Sequence, residues 1–137
     1  MGRIMGIDYG TRKTGLAVTD PLGLIVNPLD TVDTNRLFDY LADYFGRENV
    51  NKVVIGEPFM PDGCTPAQHH AAVMDFVRKF KKKFPECAVD MSDESHSSRH
   101  AREIVNRTVR SRKKRRNKHL VDKVAATLIL QQYLNHI

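Results

Sequence analysis

Residues 3–19 of the chain read RIMGIDYGTRKTGLAVT. A short apolar run, residues 3–8, ends at Asp8 and is followed by a turn that contains Gly10. A second apolar run, residues 14–19, begins after a five-residue connection, and a connection of that length is typical of an antiparallel hairpin. We therefore predict two paired strands, with Asp8 at the end of the first.

The pattern beyond this hairpin alternates between strands and helices. A third strand is predicted at Leu24–Val32, where Pro28 indicates an edge position. Two more short apolar runs predict strands at Lys52–Ile55 and Ala88–Ser92. Helices are predicted to begin at Thr34, at the capping box that opens with Thr65, at Ser97 or Ser98, and near residues 117–120. The expected fold is α/β, a mixed five-stranded sheet flanked by helices.

Length and composition exclude several classes of protein. A chain of 137 residues is the size of one domain, so we expect a single domain over residues 1–137. Hydrophobic residues make up 41% and charged residues 28%, which is typical of a folded globular protein. No apolar run approaches the roughly 20 residues of a membrane span, and the first residues lack signal-peptide features. With only Cys64 and Cys87, we expect a cytoplasmic protein with reduced thiols and no membrane partner.

The positive charge is concentrated in one segment. Lys and Arg number 22 against 16 Asp and Glu, giving a net charge of +6. Residues 110–118 hold seven cations and no acid, which leaves the rest of the chain at −1. These cations are Arg110, Arg112, Lys113, Lys114, Arg115, Arg116 and Lys118. Such a cluster favours binding to nucleic-acid phosphates, although a solvated loop or a contact with an acidic protein or membrane would also account for it.

Acidic residues follow three predicted strands and begin the last helix. Asp8, Glu57 and the pair Asp93-Glu94 stand at strand ends, and Asp122 stands in the first turns of the helix. Parallel strands would bring such acids to one rim of the sheet, where ligands bind in open α/β folds. Carboxylates gathered there suit Mg²⁺, and two ions would activate a water and stabilise the leaving oxygen in phosphodiester hydrolysis. Each acid taken singly is equally a turn, helix-start or strand-exit residue.

Four motifs occur in order along the chain. The first is Asp-x-Gly-Thr-(Lys/Arg)-x-x-Gly, from Asp8 to Gly15, and the others are VVIGEPFMPDGC, DESHSSRHA and KHLVDKVAATLILQQYL. Together they cover essentially the whole chain, which resembles the YqgF/RuvX family of RNase H-like proteins. That family is described both as Holliday-junction resolvases and as nucleases that mature the 5′ end of pre-16S ribosomal RNA.

The resemblance implies an RNase H-like domain whose acids bind divalent metal. Carried over by motif, Asp8, Glu94 and Asp122 would be the catalytic residues and the ligands of Mg²⁺ or Mn²⁺, with Asp93 a less certain neighbour. Arg12 and the basic segment would contact nucleic acid.

This chain departs from the family pattern at two positions. Ser95 stands where the family has Arg, so His96, Arg99 or the basic segment would have to supply that charge. Glu57 stands where the family has an apolar residue. Glu57 is either a further metal ligand or a solvent-facing substitution, and we favour the latter.

The sequence thus predicts a metal-dependent endonuclease acting on structured nucleic acid, with pre-16S rRNA or branched DNA as its partner. One alternative is a resolvase of four-way DNA junctions, which normally requires a dimer, whereas the nuclease is expected to be a monomer or a weak homodimer. A second alternative is a nucleic-acid-binding factor of ribosome assembly or transcription that does not cleave. Actin-like ATPases share the Asp-x-Gly-Thr motif, but they need two lobes, and 137 residues supply one.

Overall fold

The computed structural model describes residues 2–58, 68–93 and 118–135, with the side chains of residues 118–123 excepted. Within these ranges the chain forms five strands and three α-helices. The strands are β1 (Arg3–Asp8), β2 (Lys13–Thr19), β3 (Val26–Asp33), β4 (Val50–Glu57) and β5 (Ala88–Asp93). The helices are α1 (Leu37–Arg47), α2 (His70–Lys83) and α3 (Lys118–Tyr133).

The strands form one mixed sheet in the order β3-β2-β1-β4-β5. The hairpin β1–β2 and its neighbour β3 are antiparallel, whereas β4 pairs parallel to β1 and β5 pairs parallel to β4. The predicted mixed five-stranded sheet is therefore confirmed. So is the edge position of β3, the strand that contains Pro28.

The sheet is covered on both faces, as the alternation of side chains along a strand requires. On one face Met5, Ile7, Val53 and Ile55 pack against buried residues of α1 and α2, which are Leu37, Leu41, Tyr44, Val73, Phe76, Val77 and Phe80. On the other face Ala17 and Val54 pack against Ala126, Ile129 and Leu130 of α3. The residues that alternate with the first set therefore face α3.

The predicted start of the third strand at Leu24 is wrong. The Asp20 carboxylate accepts the backbone N–H groups of Leu24 and Ile25, at 2.7 and 2.9 Å, and holds the chain in a turn until Val26. The N–H of Ile25 is the main reason that the pKa of Asp20 is lowered. Leu24 and Ile25 are 66% and 61% exposed instead of lying in the sheet.

The predicted capping role of Thr34 is also wrong. A 3-10 turn occupies Thr34–Arg36, α1 begins only at Leu37, and no side chain caps either start. The Thr34 hydroxyl instead donates to the carbonyl oxygen of Gly10, at 2.6 Å. The predicted helix starts at Thr65 and at Ser97 or Ser98 lie outside the described residues.

Candidate active site

Three acidic residues lie at one rim of the sheet, where three parallel strands end. Glu57 and Asp93 are register partners on β4 and β5. Ile7 pairs with Ile55, so Asp8 at the end of β1 is level with Gly56. The predicted meeting of strand-end acids at a single rim is confirmed for these three residues.

The three acids do not share one face of the sheet. Asp8 follows Ile7, which faces α1 and α2, so the alternation along β1 places Asp8 on the α3 face. Glu57 follows Ile55 by two residues, and Asp93 follows Met91 by two, so both lie on the α2 face. Asp8 is thus separated from its two acidic neighbours by the pleat of the sheet.

Helix α3 runs antiparallel to β1 and points its N-terminal end toward this rim. Its last residue, Tyr133, contacts Lys52 near the start of β4, and Ala126 and Leu130 lie over Gly6 in the middle of β1. Asp122 precedes Ala126 by one helical turn, a rise of about 6 Å. Two residues of strand from Gly6 to Asp8 span about the same distance, so Asp122 is level with Asp8 on the same face.

Gly6 allows α3 to approach the sheet this closely. A Cβ at Gly6 would lie 2.8 Å from Leu130 Cγ and 2.9 Å from the carbonyl oxygen of Ala126. The second of these atoms belongs to the helix backbone, so a side chain at this position would force the helix away. The glycine therefore fixes the distance between α3 and the strand that carries Asp8.

Glu57 has a partner on the opposite face. Its Oε2 lies 2.8 Å from Nε2 of His70, the first residue of α2, and both side chains are about one-quarter exposed. Neither role that the sequence suggested for Glu57, metal ligand or solvent-facing substitution, anticipates this pair. The partners are 13 residues apart, and no local pattern in the sequence links them.

Polar contacts fix the β1–β2 turn beside Asp8. Thr34 and Thr14 join their hydroxyls at 2.9 Å, and Thr14 is fully buried. A Cβ at Gly10 would meet the carbonyl oxygen of Lys13 at 2.3 Å, which explains the glycine in this motif. Arg12 lies on the turn, its side chain is exposed, and its carbonyl oxygen accepts the N–H of Thr34.

The far end of α3 is tied to the sheet by three polar side chains. Lys52 Nζ lies 2.9 Å from the hydroxyl oxygen of Tyr133 and 3.2 Å from Asp90 Oδ2, and the Tyr133 hydroxyl donates to Asp90. The bond from Tyr133, followed by that from Lys52, lowers the pKa of Asp90. The same two partners raise the pKa of Lys52. These contacts set the position of α3 along the sheet.

The remaining predicted site residues are only partly described. Glu94 and residues 110–116 lie outside the described residues, and Asp122 and Lys118 are described by their backbone in α3. Among side chains that the structure describes, no three of His, Cys, Asp or Glu come together as a metal site.

A cavity of about 550 Å³ lies at the opposite end of the sheet from the acidic rim. Its walls include Phe45, Asn49, Lys83, Phe84 and Cys87. Cys87 is a free thiol whose pKa burial raises. Because the described strand-end carboxylates stand at the rim, away from this cavity, the chemistry is assigned to the rim.

No helix in the described part of the chain is long and apolar enough to span a membrane.

Comparisons with known proteins agree with this architecture. The family model described as RuvX, Holliday junction resolvase, matches residues 2–136. A protein of Christiangramia forsetii named "Putative pre-16S rRNA nuclease" is 44% identical over 98% of both chains. One of Porphyromonas gingivalis with the same name is 41% identical over 99% of this chain and 98% of its own.

Two solved structures share the fold at low sequence identity. RuvC of T. thermophilus, in complex with a Holliday junction substrate, superposes with a TM-score of 0.57 at 18% identity. That match covers 98% of this chain and 96% of the RuvC chain. The Fowlpox virus resolvase, in complex with Holliday junction DNA, gives 0.60 at 11% identity over 98% and 97%.

Proposed function

The chain belongs to the RuvX family, and from this premise we propose that it is a metal-dependent endonuclease that hydrolyses phosphodiester bonds in structured RNA. The proposed substrate is the 5′ extension of pre-16S rRNA, the RNA for which its relatives at 44% and 41% identity are named. We further propose that it acts in the cytoplasm, as a monomer or a weak homodimer. These three points extend the family assignment to this chain.

The observation that carries the proposal is the shared face of Asp8 and α3. Asp8 ends β1 on the α3 face, and Asp122 is level with it, one turn before the residue that lies over Gly6. Asp93 lies on the opposite face, beside Glu57, so the proposal takes Glu94, the residue that directly follows β5, as the third carboxylate.

The proposed donor set suits Mg²⁺ or Mn²⁺. Both are hard cations that prefer oxygen ligands, and Asp8, Glu94 and Asp122 offer only carboxylate oxygens. His70, the described histidine nearest this rim, is hydrogen bonded to Glu57 on the other face. The donors assigned to the site therefore fit a magnesium-type ion better than zinc, which is usually bound by nitrogen and sulfur.

In this mechanism the carboxylates of Asp8, Glu94 and Asp122 gather negative charge at the end of β1. Divalent ions, when bound, supply charge neutralisation at the scissile phosphate and activation of the attacking water. The rigid β1–β2 turn and the closely packed α3 hold Asp8 and Asp122 in place, so little reorganisation is needed when substrate arrives. Arg12 and the cations of residues 110–118 bind backbone phosphates on either side of the cleaved bond.

The test compares two substrates under three metal conditions. Purified protein is incubated with 5′-extended 16S precursor RNA or with a four-way DNA junction, each with Mg²⁺, Mn²⁺ or EDTA. We expect RNA cleavage at a defined position with either metal and none with EDTA. Junction cleavage without RNA cleavage would make the protein a resolvase, and binding of both without cleavage would make it a non-cleaving factor.

A further inference from the structure

The outer surface of α2 carries a second cluster of positive charge. Five of the six residues from Arg78 to Lys83 are cations, and none is acidic. Together with residues 110–118 they account for twelve of the 22 cations. The rest of the chain then carries ten cations against sixteen acids, a net charge of −6, so the positive charge is confined to two places.

The fold turns all five α2 cations outward. Val73, Phe76, Val77 and Phe80 form the buried face of the helix, and the cations occupy the remaining positions. The side chains of Arg78 and Lys79 are 68% and 65% exposed, and Lys81, Lys82 and Lys83 are exposed as well. Cations three and four residues apart on a helix are neighbours and repel one another.

Few carboxylates neutralise this surface. Asp75 is shared by Arg78, at 3.3 Å, and Lys79, at 3.1 Å, and these bonds lower the pKa of Asp75. Lys83 lies over the ring of Phe38, 5.4 Å from its centroid. Within the described part of the chain, neither Lys81 nor Lys82 has a carboxylate oxygen within 4.0 Å. The surface therefore offers at least two cations to an external anion.

The position of this surface relates it to the acidic rim. Helix α2 begins at the rim, where His70 contacts Glu57, and it ends beside the cavity at the other end of the sheet. Lys81 and Lys82 follow His70 by 11 and 12 residues, so they lie about 17 Å from the rim along the helix axis. A base pair occupies about 3.4 Å along a duplex, so about five base pairs span that distance.

We infer that the α2 cations, Lys81 and Lys82 above all, bind the phosphate backbone of a double-stranded arm of the RNA substrate, at a distance of about five base pairs from the cleaved bond. This inference rests on the proposed function for the identity of the nucleic acid. The surface holds the arm through charge and reads no sequence, because cations on phosphates carry no base information.

The test measures binding in EDTA, so it does not depend on cleavage. The variant Lys81→Gln/Lys82→Gln is compared with the wild type and with Arg36→Gln/Arg47→Gln, which removes the same charge from exposed positions at the ends of α1. The ligands are an RNA duplex of about 24 base pairs and a hairpin with a stem of about four, which is too short to reach α2 from the rim. Each is titrated at several KCl concentrations.

We expect the α2 variant to bind the long duplex about 5- to 10-fold more weakly at 0.1 M salt, with a salt slope smaller by one to two units. Its affinity for the short hairpin should equal that of the wild type, and the α1 variant should bind both ligands normally. Unchanged affinity and slope for the long duplex would overturn the inference, leaving α2 as a solvated surface or a contact for an acidic protein. Equal weakening by the α1 variant would also overturn it. Loss of cleavage in every form with binding as expected would contradict only the proposed function.

Discussion

At the scale of single residues, the most informative contrast is between Asp8 and Glu57. Both end parallel strands at the same rim, yet Asp8 lies on the α3 face and Glu57 is hydrogen bonded to His70 on the α2 face. Their distance along the rim is small, and the pleat separates their chemistry. A carboxylate engaged by His70 on the other face is a structural partner in this site.

The first prediction follows from that contrast. Glu57→Gln should retain cleavage within about twofold of the wild type, because the proposed ligands are on the other face. It should lower the free energy of unfolding by about 0.5 kcal/mol, since the pair is partly exposed. Single-turnover cleavage rates and urea unfolding of the two proteins would check this. A loss of more than about 100-fold in rate with a normal fold would place Glu57 among the metal ligands.

At the scale of elements, the position of α3 on the sheet determines whether Asp122 reaches Asp8. Gly6 sets how closely the helix approaches, and Lys52, Asp90 and Tyr133 set its position along the strands. The predictions at this scale concern these two sets of contacts.

Gly6→Ala should destabilise the protein by about 1–3 kcal/mol, because the new methyl group overlaps the α3 backbone at Ala126. It should also reduce cleavage at temperatures where the protein is still folded, because α3 and Asp122 move away from Asp8. Gly46→Ala is the matched control, since a Cβ there meets nothing within 4 Å. Equal stability and activity of the two variants would show that α3 does not depend on close contact at Gly6.

Asp90 should make the stability depend on acid pH. Its pKa is lowered by Tyr133 and Lys52, so it stabilises the folded state above the unfolded-state pKa of about 3.9, and this is lost as the pH falls through the folded value. We expect Asp90→Asn to lower the melting temperature clearly at pH 7 and much less at pH 3. Calorimetry at both pH values would check this, and an equal difference at both would contradict it.

The sequence predicts the elements well where burial alone forms them. The apolar runs of β1, β2 and β4 are buried on both faces of the sheet, so hydrophobicity locates them. It failed at Leu24 and Thr34, where a side chain bonds across a turn and overrides the local pattern. The face of Glu57 could have been inferred, because Ile55 two residues earlier marks the inner face, but its partner His70 could not, since the pair forms only in the folded chain.

At the scale of the whole molecule, charge is distributed to serve binding while the acids serve chemistry. Replacing Arg112, Lys113, Lys114, Arg115 and Arg116 together by Ser should weaken RNA binding without changing the melting temperature. The salt slope should fall by up to about one unit for each phosphate that the variant no longer neutralises. Binding titrations at several KCl concentrations would check this. Parallel slopes and equal affinities would mean that this segment does not contact the substrate.

The central claim is that Asp8, Glu94 and Asp122 act as one metal-dependent unit. The most direct measurement is the single-turnover cleavage of 5′-extended 16S precursor RNA by Asp8→Asn, Glu94→Gln and Asp122→Asn, with melting temperatures recorded alongside. We predict that each variant loses at least about 100-fold in rate, since residues that act as a unit fail together. Each should keep or raise its melting temperature, because removing one carboxylate relieves repulsion among the others. Normal cleavage by any one of the three would contradict the claim.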